Sequence, residues 1–556
     1  MKMAKYIFII GMVVFLSGCD YLDYDKTAGK NQEEAYSYFD NLNGLVSYMY
    51  TFLPSDFGNV NGALLESATD NSVFTWEDNN IYHICNGLWS PSNRIDDGWK
   101  YFDAIRAANS FLENYDPTAL DRFEYNDNFD EISGKASKFV YEVRFLRAFY
   151  VFELAKRYGD IPLLTRTYDS EEINRVSMTP FDDVLAFVVK ECDEIASSLP
   201  VNQEDFWGDV GRATRGTVMA LKSRALLYGA SPLHNAANDK GKWAEAAKAA
   251  YAIIEKGWYN LPLVTSDPLF DQLGGNTILN SSQLIFAKLD ESKTNSFEAQ
   301  NQPMGVEGAK GGNTPTQNLV DAYEMKNGEA FDWNNPEHVQ NIYFNSSKKE
   351  TRDPRLYINV IVNRSKWGKR IKIEEGGKHK ILEGSTTTGY YLRKNVNPNV
   401  SLSPTKPNKI EHHYVIFRYA EILLNYAEAM NEWVGPDAAG EGCPMSAREA
   451  LNIIRSSATM PAVEETGDDF TQKVRNERRV ELAFEGHRFW DIRRWKIADS
   501  EDVKNIYGVK ITKGEGFSYE KLRLQERYWN DKMYLYPFPE EELFINENLK
   551  QNKGWD

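Results

Sequence analysis

Apolar residues return at helical spacing over several long stretches, and this pattern sets the architecture that the chain predicts. From Ser133 to Arg157, Val140, Val143, Leu146, Tyr150 and Leu154 line one face, and Gly159 with Pro162 ends the helix near Tyr158. Arg215 to Tyr228 reads as a second helix, closed by Gly229 and Pro232. A third, Lys242 to Lys256, carries Trp243, Ala246, Ala247, Ala250, Ile253 and Ile254 on one side. These two are expected to pair antiparallel through their alanines. Tyr414 to Glu432 is a fourth helix, and Ser446 with Glu449 makes a capping box for a fifth, through Arg455. Another is expected from about Asp469 to Lys496. Large residues set against alanines in paired helices predict an all-α, tetratricopeptide-like superhelix.

Two stretches break the pattern. Between 261 and 411 the composition shifts to Asn, Gly, Ser, Thr and Pro, with short strand-like pieces such as Ile358 to Val362. This predicts a loop-rich, ligand-binding insertion with minor β structure, carried on the helical scaffold. The expected division is 36–260, 261–411 and 412–556 within one integrated fold. At the N-terminus, Lys2 and Lys5 precede the apolar run Tyr6 to Leu16, which ends in Ser17, Gly18 and Cys19. That is the layout of a secretory signal. Such a run rises only about 16 Å as a helix, roughly half a bilayer core. Residues 1–18 therefore read as a leader and 19–35 as an acidic tether.

Composition changes this picture in one respect. Hydrophobic residues make up 42% of the 556, enough for a large core. Without Lys2 and Lys5, 62 basic residues face 81 acidic ones, a net charge of −19. A surface of that sign repels phosphate backbones, which argues against nucleic acid as a partner. Cys85, Cys192 and Cys443 match no zinc spacing and cannot all pair, so buried thiols are expected. Aromatic residues reach 13%, more than a core alone usually uses.

Seven segments in order resemble the SusD/RagB family. They are EVRFLRAFYVFELAKRYGDIPLL at 142–164, GRATRGTVMALKSRALLYGASP at 211–232, PTQNLVDAYEMKNG at 315–328 and RDPRL at 352–356. FRYAEILLNYAEAMNE at 417–432, NERRVELAFEGHRFWDIRRWK at 476–496 and the tail YLYPFPEEELFINENLKQN complete the series. Leu16-Ser17-Gly18-Cys19 is likewise similar to a bacterial lipobox. The resemblance implies an outer-membrane, surface-exposed lipoprotein acylated on Cys19, holding four tetratricopeptide-like helix pairs. It further implies delivery of oligosaccharides to a partner SusC-like TonB-dependent transporter. Asp20, Asp23 and Asp25 resemble the acidic stretch that accompanies export to the outer face. Several acyl chains on one cysteine would anchor firmly, because each buried CH₂ contributes about 0.8 kcal/mol.

The matched motifs are mostly structural. Glu477, Glu481 and Glu485 share a helix face, and a metal or acid–base role for them competes with neutralisation by the interleaved Arg478, Arg479, Arg488 and Arg494. Ion pairing is the simpler account. No H-E-x-x-H, nucleophile elbow or Walker loop stands in a convincing context, so neither cofactor nor catalytic metal is expected. Neutral sugars instead need solvent-facing rings for their C–H faces, with amides or carboxylates for their hydroxyls. Trp89 and Asn93 suit that role best, in a non-helical stretch rich in Asn, Asp, Ser and Gly. Related proteins place glycan-binding tryptophans in this part of the chain. Asp70 and Trp76 are weaker companions, and Phe297 and Trp333 are placed to complete an aromatic arc. For each aromatic residue, simple packing is the competing reading. Trp99, Trp490 and Trp495 are assigned to the core. The expected function is therefore binding, not catalysis. A peptide-binding member of the family and a surface glycoside hydrolase are the rivals, the second because two carboxylates can come from anywhere in a fold.

Overall fold

The computed structural model describes residues 32–556 apart from 97, 202–209, 271–274, 291, 370 and 378–385. Cys19, the leader and most of the tether lie outside the described residues.

Helix follows helix through the first half. After α1 (Phe39–Tyr50), a short strand β1 (Ser72–Phe74) and a single turn α2 (Ile81–Cys85) precede α3 (Tyr101–Asn114) and the long α4 (Phe129–Tyr158). Gly159 stops α4 at φ +75°, a backbone state open to glycine. Then come α5 (Phe181–Ile195), α6 (Arg215–Ala230) and α7 (Lys240–Ile254). The Thr214 hydroxyl caps α6 by accepting from Thr217 N–H, and Asp239 caps α7 by accepting from Gly241 N–H. Each helix from α3 to α7 packs on the next.

The stack resumes after the loop-rich middle. Strand β2 (Leu284–Lys288) lies antiparallel to a later strand, Tyr414–Arg418, which feeds α9 (Tyr419–Val434); α8 (Pro354–Asn359) falls between them. The expected helix at 414 thus begins five residues late, because Tyr414 to Arg418 pair with β2. Helix α9 packs on α7, closing the two halves into one array, and on α10 (Ala447–Ser457) and α11 (Gly467–Glu481). The Ser446–Glu449 capping box is present in both directions. The helix expected at 469–496 is two helices. Phe484 at φ +60° and Gly486 at +76° break it, and α12 (Arg488–Arg494) starts afresh.

One apolar core runs through the stack from Leu42 to Trp555. The middle region has a second core, around Leu319, Tyr323, Leu356, Trp367 and Tyr390. Val480, Ala483 and Phe484 complete that second core from the C-terminal helices. Strand β1 is tied to the middle region by β3 (Asn313–Pro315), Ser72 opposite Pro315 and Phe74 opposite Asn313. A long hairpin, Asn505–Lys513 with Phe517–Glu526, leads back towards α2. The cysteines Cys85, Cys192 and Cys443 are buried free thiols, as expected from their spacing. Among the described residues, no helix is long and apolar enough to cross a membrane.

Candidate functional site

The segment expected to carry the site folds as a small module around α2, and it sorts its aromatic residues in two directions. Trp89 turns inward. Its N–H donates to His83 O at 3.1 Å, which folds the chain back over α2. The indole is 2% exposed, edge-on to Tyr536 at 4.6 Å and to Trp555 at 5.1 Å. No sugar ring can stack on it there, so the expected solvent-facing Trp89 is corrected to a core residue. Its partners arrive from the far end of the chain, which no local pattern announces. Asn93 is half-buried, and its amide donates to Leu88 O at 3.1 Å, closing the 88–93 turn. Asp70 is fully buried, and Arg488 grips both its oxygens at 2.8 Å while Arg479 approaches at 2.9 Å. Burial alone would raise that carboxyl, but the arginines hold it at about 2. It is a structural anion, not a sugar ligand.

The other three candidates divide likewise. Phe297 is buried in the second core against Phe57 and His412, which removes it from any open arc. Trp333 is half-buried, its indole N–H donating to Asp321 at 3.1 Å, with one neighbour ring, Phe331, edge-on at 5.4 Å. Trp76 is 38% exposed just beyond β1. Of the six expected residues, Trp76 is the one displayed to solvent as an aromatic face.

The same module displays further residues that the sequence did not single out. The Tyr82 hydroxyl, on α2, donates to Phe74 O at the end of β1. Tyr528 follows the long hairpin, and its N–H donates to Cys85 O at 2.8 Å. Its ring lies directly over Gly87, where a Cβ would sit 2.3 Å from the ring edge. Gly87 takes φ +73°, so glycine is needed twice over. Tyr528 is 49% exposed and Leu88 beside Gly87 is 61% exposed. Exposed amides and carboxylates surround them at Glu77, Asp78, Asn80 and Asn86. The module thus displays apolar and aromatic surface at Trp76 and at Tyr528 with Leu88, and its exposed amides and carboxylates can exchange hydrogen bonds with hydroxyls. The signal for Tyr528 was an aromatic pair, Tyr528-Trp529, directly after an alternating strand.

The carboxylates of α11, and Glu485 just beyond it, are spent elsewhere. Glu477 meets Arg355 at 2.6 Å and Arg455 at 3.0 Å, Glu481 meets Arg418 at 2.7 Å, and Glu485 meets Arg418 at 2.6 Å and also Lys394. Ion pairing holds, but the partners are other elements and not the interleaved arginines. Despite burial, Arg418 and Arg355 keep Glu481 near 2. A cavity of about 520 Å³ lies between 51–60, 95–101 and α12. Several of its charged groups pair with one another, Glu153 binding Lys156 at 2.6 Å and Arg157 at 2.7 Å. Among the described residues, no cluster of His, Cys, Asp and Glu could hold a metal ion.

A sequence profile of the SusD family matches residues 282–555. SusD-like protein P25 of Formosa agariphila is 23% identical over 432 residues, covering 72% of this chain and 70% of its own length. A SusD-like protein of Bacteroides fragilis, solved as a crystal structure, superposes with a TM-score of 0.75 at 26% identity, over 95% of this chain and 99% of its own. The C-terminal half of the chain thus carries the SusD family signature, and the whole chain is similar to SusD-like proteins. A second structure from B. fragilis, described as a SusD-like carbohydrate-binding protein, gives 0.71 at 24% identity over 93% of this chain and 99% of its own. Surface glycan-binding protein A from Bacteroides uniformis gives 0.62 at 17%, over 92% and 99%. The helix array described above is thus the SusD fold, spread over almost the whole chain.

Proposed function

We propose that this SusD-like chain binds oligosaccharides at the cell surface and passes them to a partner TonB-dependent outer-membrane transporter, anchored by lipid on Cys19. The observation that carries the binding part is the exposure of Trp76, Tyr528 and Leu88 on one module, which this reading takes as a single shelf edged by exposed amides. Flat apolar rings with polar edges suit pyranoses, whose two faces are C–H and whose rims are hydroxyl. Two relatives described as carbohydrate- or glycan-binding support the same class of ligand. Binding and transfer, rather than bond cleavage, fit a site whose aromatic residues are displayed while the helix carboxylates are locked in ion pairs. The test is calorimetric titration of a glycan panel into the wild type and into Trp76→Ala and Tyr528→Ala. Loss of affinity in both variants, with melting temperatures kept, is the expected result. Undiminished affinity in both removes the shelf from the binding site. Anchoring is tested by Cys19→Ala, which is expected to leave the membrane fraction in cells lacking the transporter.

One observation favours a peptide-binding reading. A groove of about 940 Å³ runs beside α11, where Arg475 and Arg479 face Asp469 and Glu329. Mixed charge of this kind suits backbone and termini better than neutral sugars. Peptide mixtures that bind the wild type while every glycan fails would select that reading.

A further inference from the structure

A different groove carries a charge that nothing among the described residues neutralises at contact distance. It lies in the loop-rich middle, between α8 and the segment after the strand Tyr391–Leu392, and encloses about 750 Å³. Its apolar walls come from Phe270, Pro354 and Pro398, and Thr265 and Asn280 add exposed polar groups at the rim. Arg393 enters from just beyond that strand, where its backbone N–H donates to Asn359 O at 3.0 Å. Among the described residues, the Arg393 side chain makes no hydrogen bond and no ion pair, and its Nε is sealed from solvent without a partner. Every other arginine considered above is held by a carboxylate or stacks on a ring. Burial pushes the Arg393 guanidinium below its ordinary value, and Glu350 offsets part of that from beyond contact distance. Of the two carboxylates on the lining, Asp267 accepts from Leu269 N–H at 2.9 Å and from the Gln283 amide, which leaves Glu350 alone facing the guanidinium.

A guanidinium held half out of water with its terminal nitrogens open is a planar two-pronged donor. The group that matches it is a carboxylate, bound by two parallel hydrogen bonds. The volume is that of a small-ligand cleft, and the prolines and Phe270 offer apolar surface to a sugar's C–H face. We propose that this groove is a second saccharide site, selective for a carboxylate-bearing (uronate) residue anchored on Arg393. The class of ligand rests on the carbohydrate reading above, and the charge selectivity rests on the groove alone. A chain with a net charge of −17 repels anions at long range, so this selectivity depends on one local cation and is weakened by salt.

The experiment titrates oligomers of galacturonate, glucuronate and mannuronate, and their carboxyl-reduced neutral counterparts, into wild type, Arg393→Gln and Glu350→Gln. Wild type is expected to prefer at least one acidic oligomer over its reduced form by tenfold or more, with the preference shrinking as sodium chloride is added. Arg393→Gln should abolish that preference and keep both the melting temperature and the affinity for neutral glycans on the Trp76 shelf. Glu350→Gln should strengthen acidic binding, because the competing carboxylate is gone. Equal binding of acidic and reduced oligomers by wild type, or an unchanged preference in Arg393→Gln, overturns the proposal. A preference for sulfated over carboxylated oligomers overturns the carboxylate assignment. If neutral glycans bind while every acidic oligomer fails, the groove falls and the carbohydrate reading stands. If no glycan binds at all, both fall.

Discussion

The helix array and the module around α2 use aromatic residues to opposite ends. Within the array, Phe145 meets Phe286 and Phe149 meets Phe417 edge to face, each from α4 to a neighbouring strand. Around α2, Trp76 and Trp89 stand thirteen residues apart in a single irregular stretch, and one faces water while the other is sealed. Periodicity decides burial in the array. In the module burial is decided by which distant segment arrives: Tyr536 and Trp555 cover Trp89, whereas Trp76 stays 38% exposed. Sequence position near a ligand site is therefore no guide to display, and an irregular loop can hide a large ring as completely as a helix can.

Trp89→Ala probes this contrast with the largest expected effect. Truncation of a buried aromatic residue costs about 3–5 kcal/mol, read as a fall in melting temperature of many degrees. A melt within a degree or two of wild type would erase the distinction between the two tryptophans. Acid should act next, and on the array. Asp70, Glu153, Glu428 and Glu481 sit near 2 because arginines and Lys156 outweigh burial. A lowered folded-state value stabilises above the unfolded value of about 4 and is lost as pH falls towards 2. Asp56 and Glu66 run the other way. Burial lifts both to about 7, so their contribution favours the folded state at low pH and is lost as pH rises from about 4 to 7. Melts from pH 3 to 8 should therefore peak near pH 5 and fall steeply on the acid side. A flat acid side would mean that these ion pairs do not hold the array.

Tyr528→Ala sharpens the other half of the comparison. A ring that stacks on a sugar is expected to contribute about 1–3 kcal/mol of affinity, a five- to hundredfold change in Kd, with little loss of stability. Loss of stability without loss of affinity would return Tyr528 to a packing role over Gly87. The smallest effect is expected at Ser446→Ala, about 1 kcal/mol from one helix cap, with binding unchanged. A larger loss would show that this capping box holds more than its own helix.

Most of the array was legible because helices advertise themselves locally. Gly159 and Pro162 ended α4 where expected, and the alanines of α6 and α7 announced their pairing. The break inside 469–496 was not legible, because Phe484 adopts a left-handed backbone that its sequence does not demand. The early residues of α9 were misread for a related reason: Tyr414 to Arg418 are equally apolar as a strand, and only β2 makes them one. In the candidate site, Trp76 was found by composition alone. Tyr528 and Leu88 were missed because their exposure depends on the hairpin returning to α2. Glu485 was read correctly as paired, yet its partners Arg418 and Lys394 lie 67 and 91 residues away.

The pairing of β1 with β3 has a consequence for the order of events during folding. Ser72 and Val73 find their partners about 240 residues later, through Thr314. Closing so long a loop is entropically costly and slow compared with forming neighbouring helix pairs. The shelf also waits for Tyr528, near the end of the chain. A nascent or misassembled molecule can thus hold most of its helices and still lack the proposed sugar-binding surface. On that proposal, ligand affinity doubles as a readout of completed maturation, and variants that fold slowly should show first as populations with fewer competent sites, not as weaker ones.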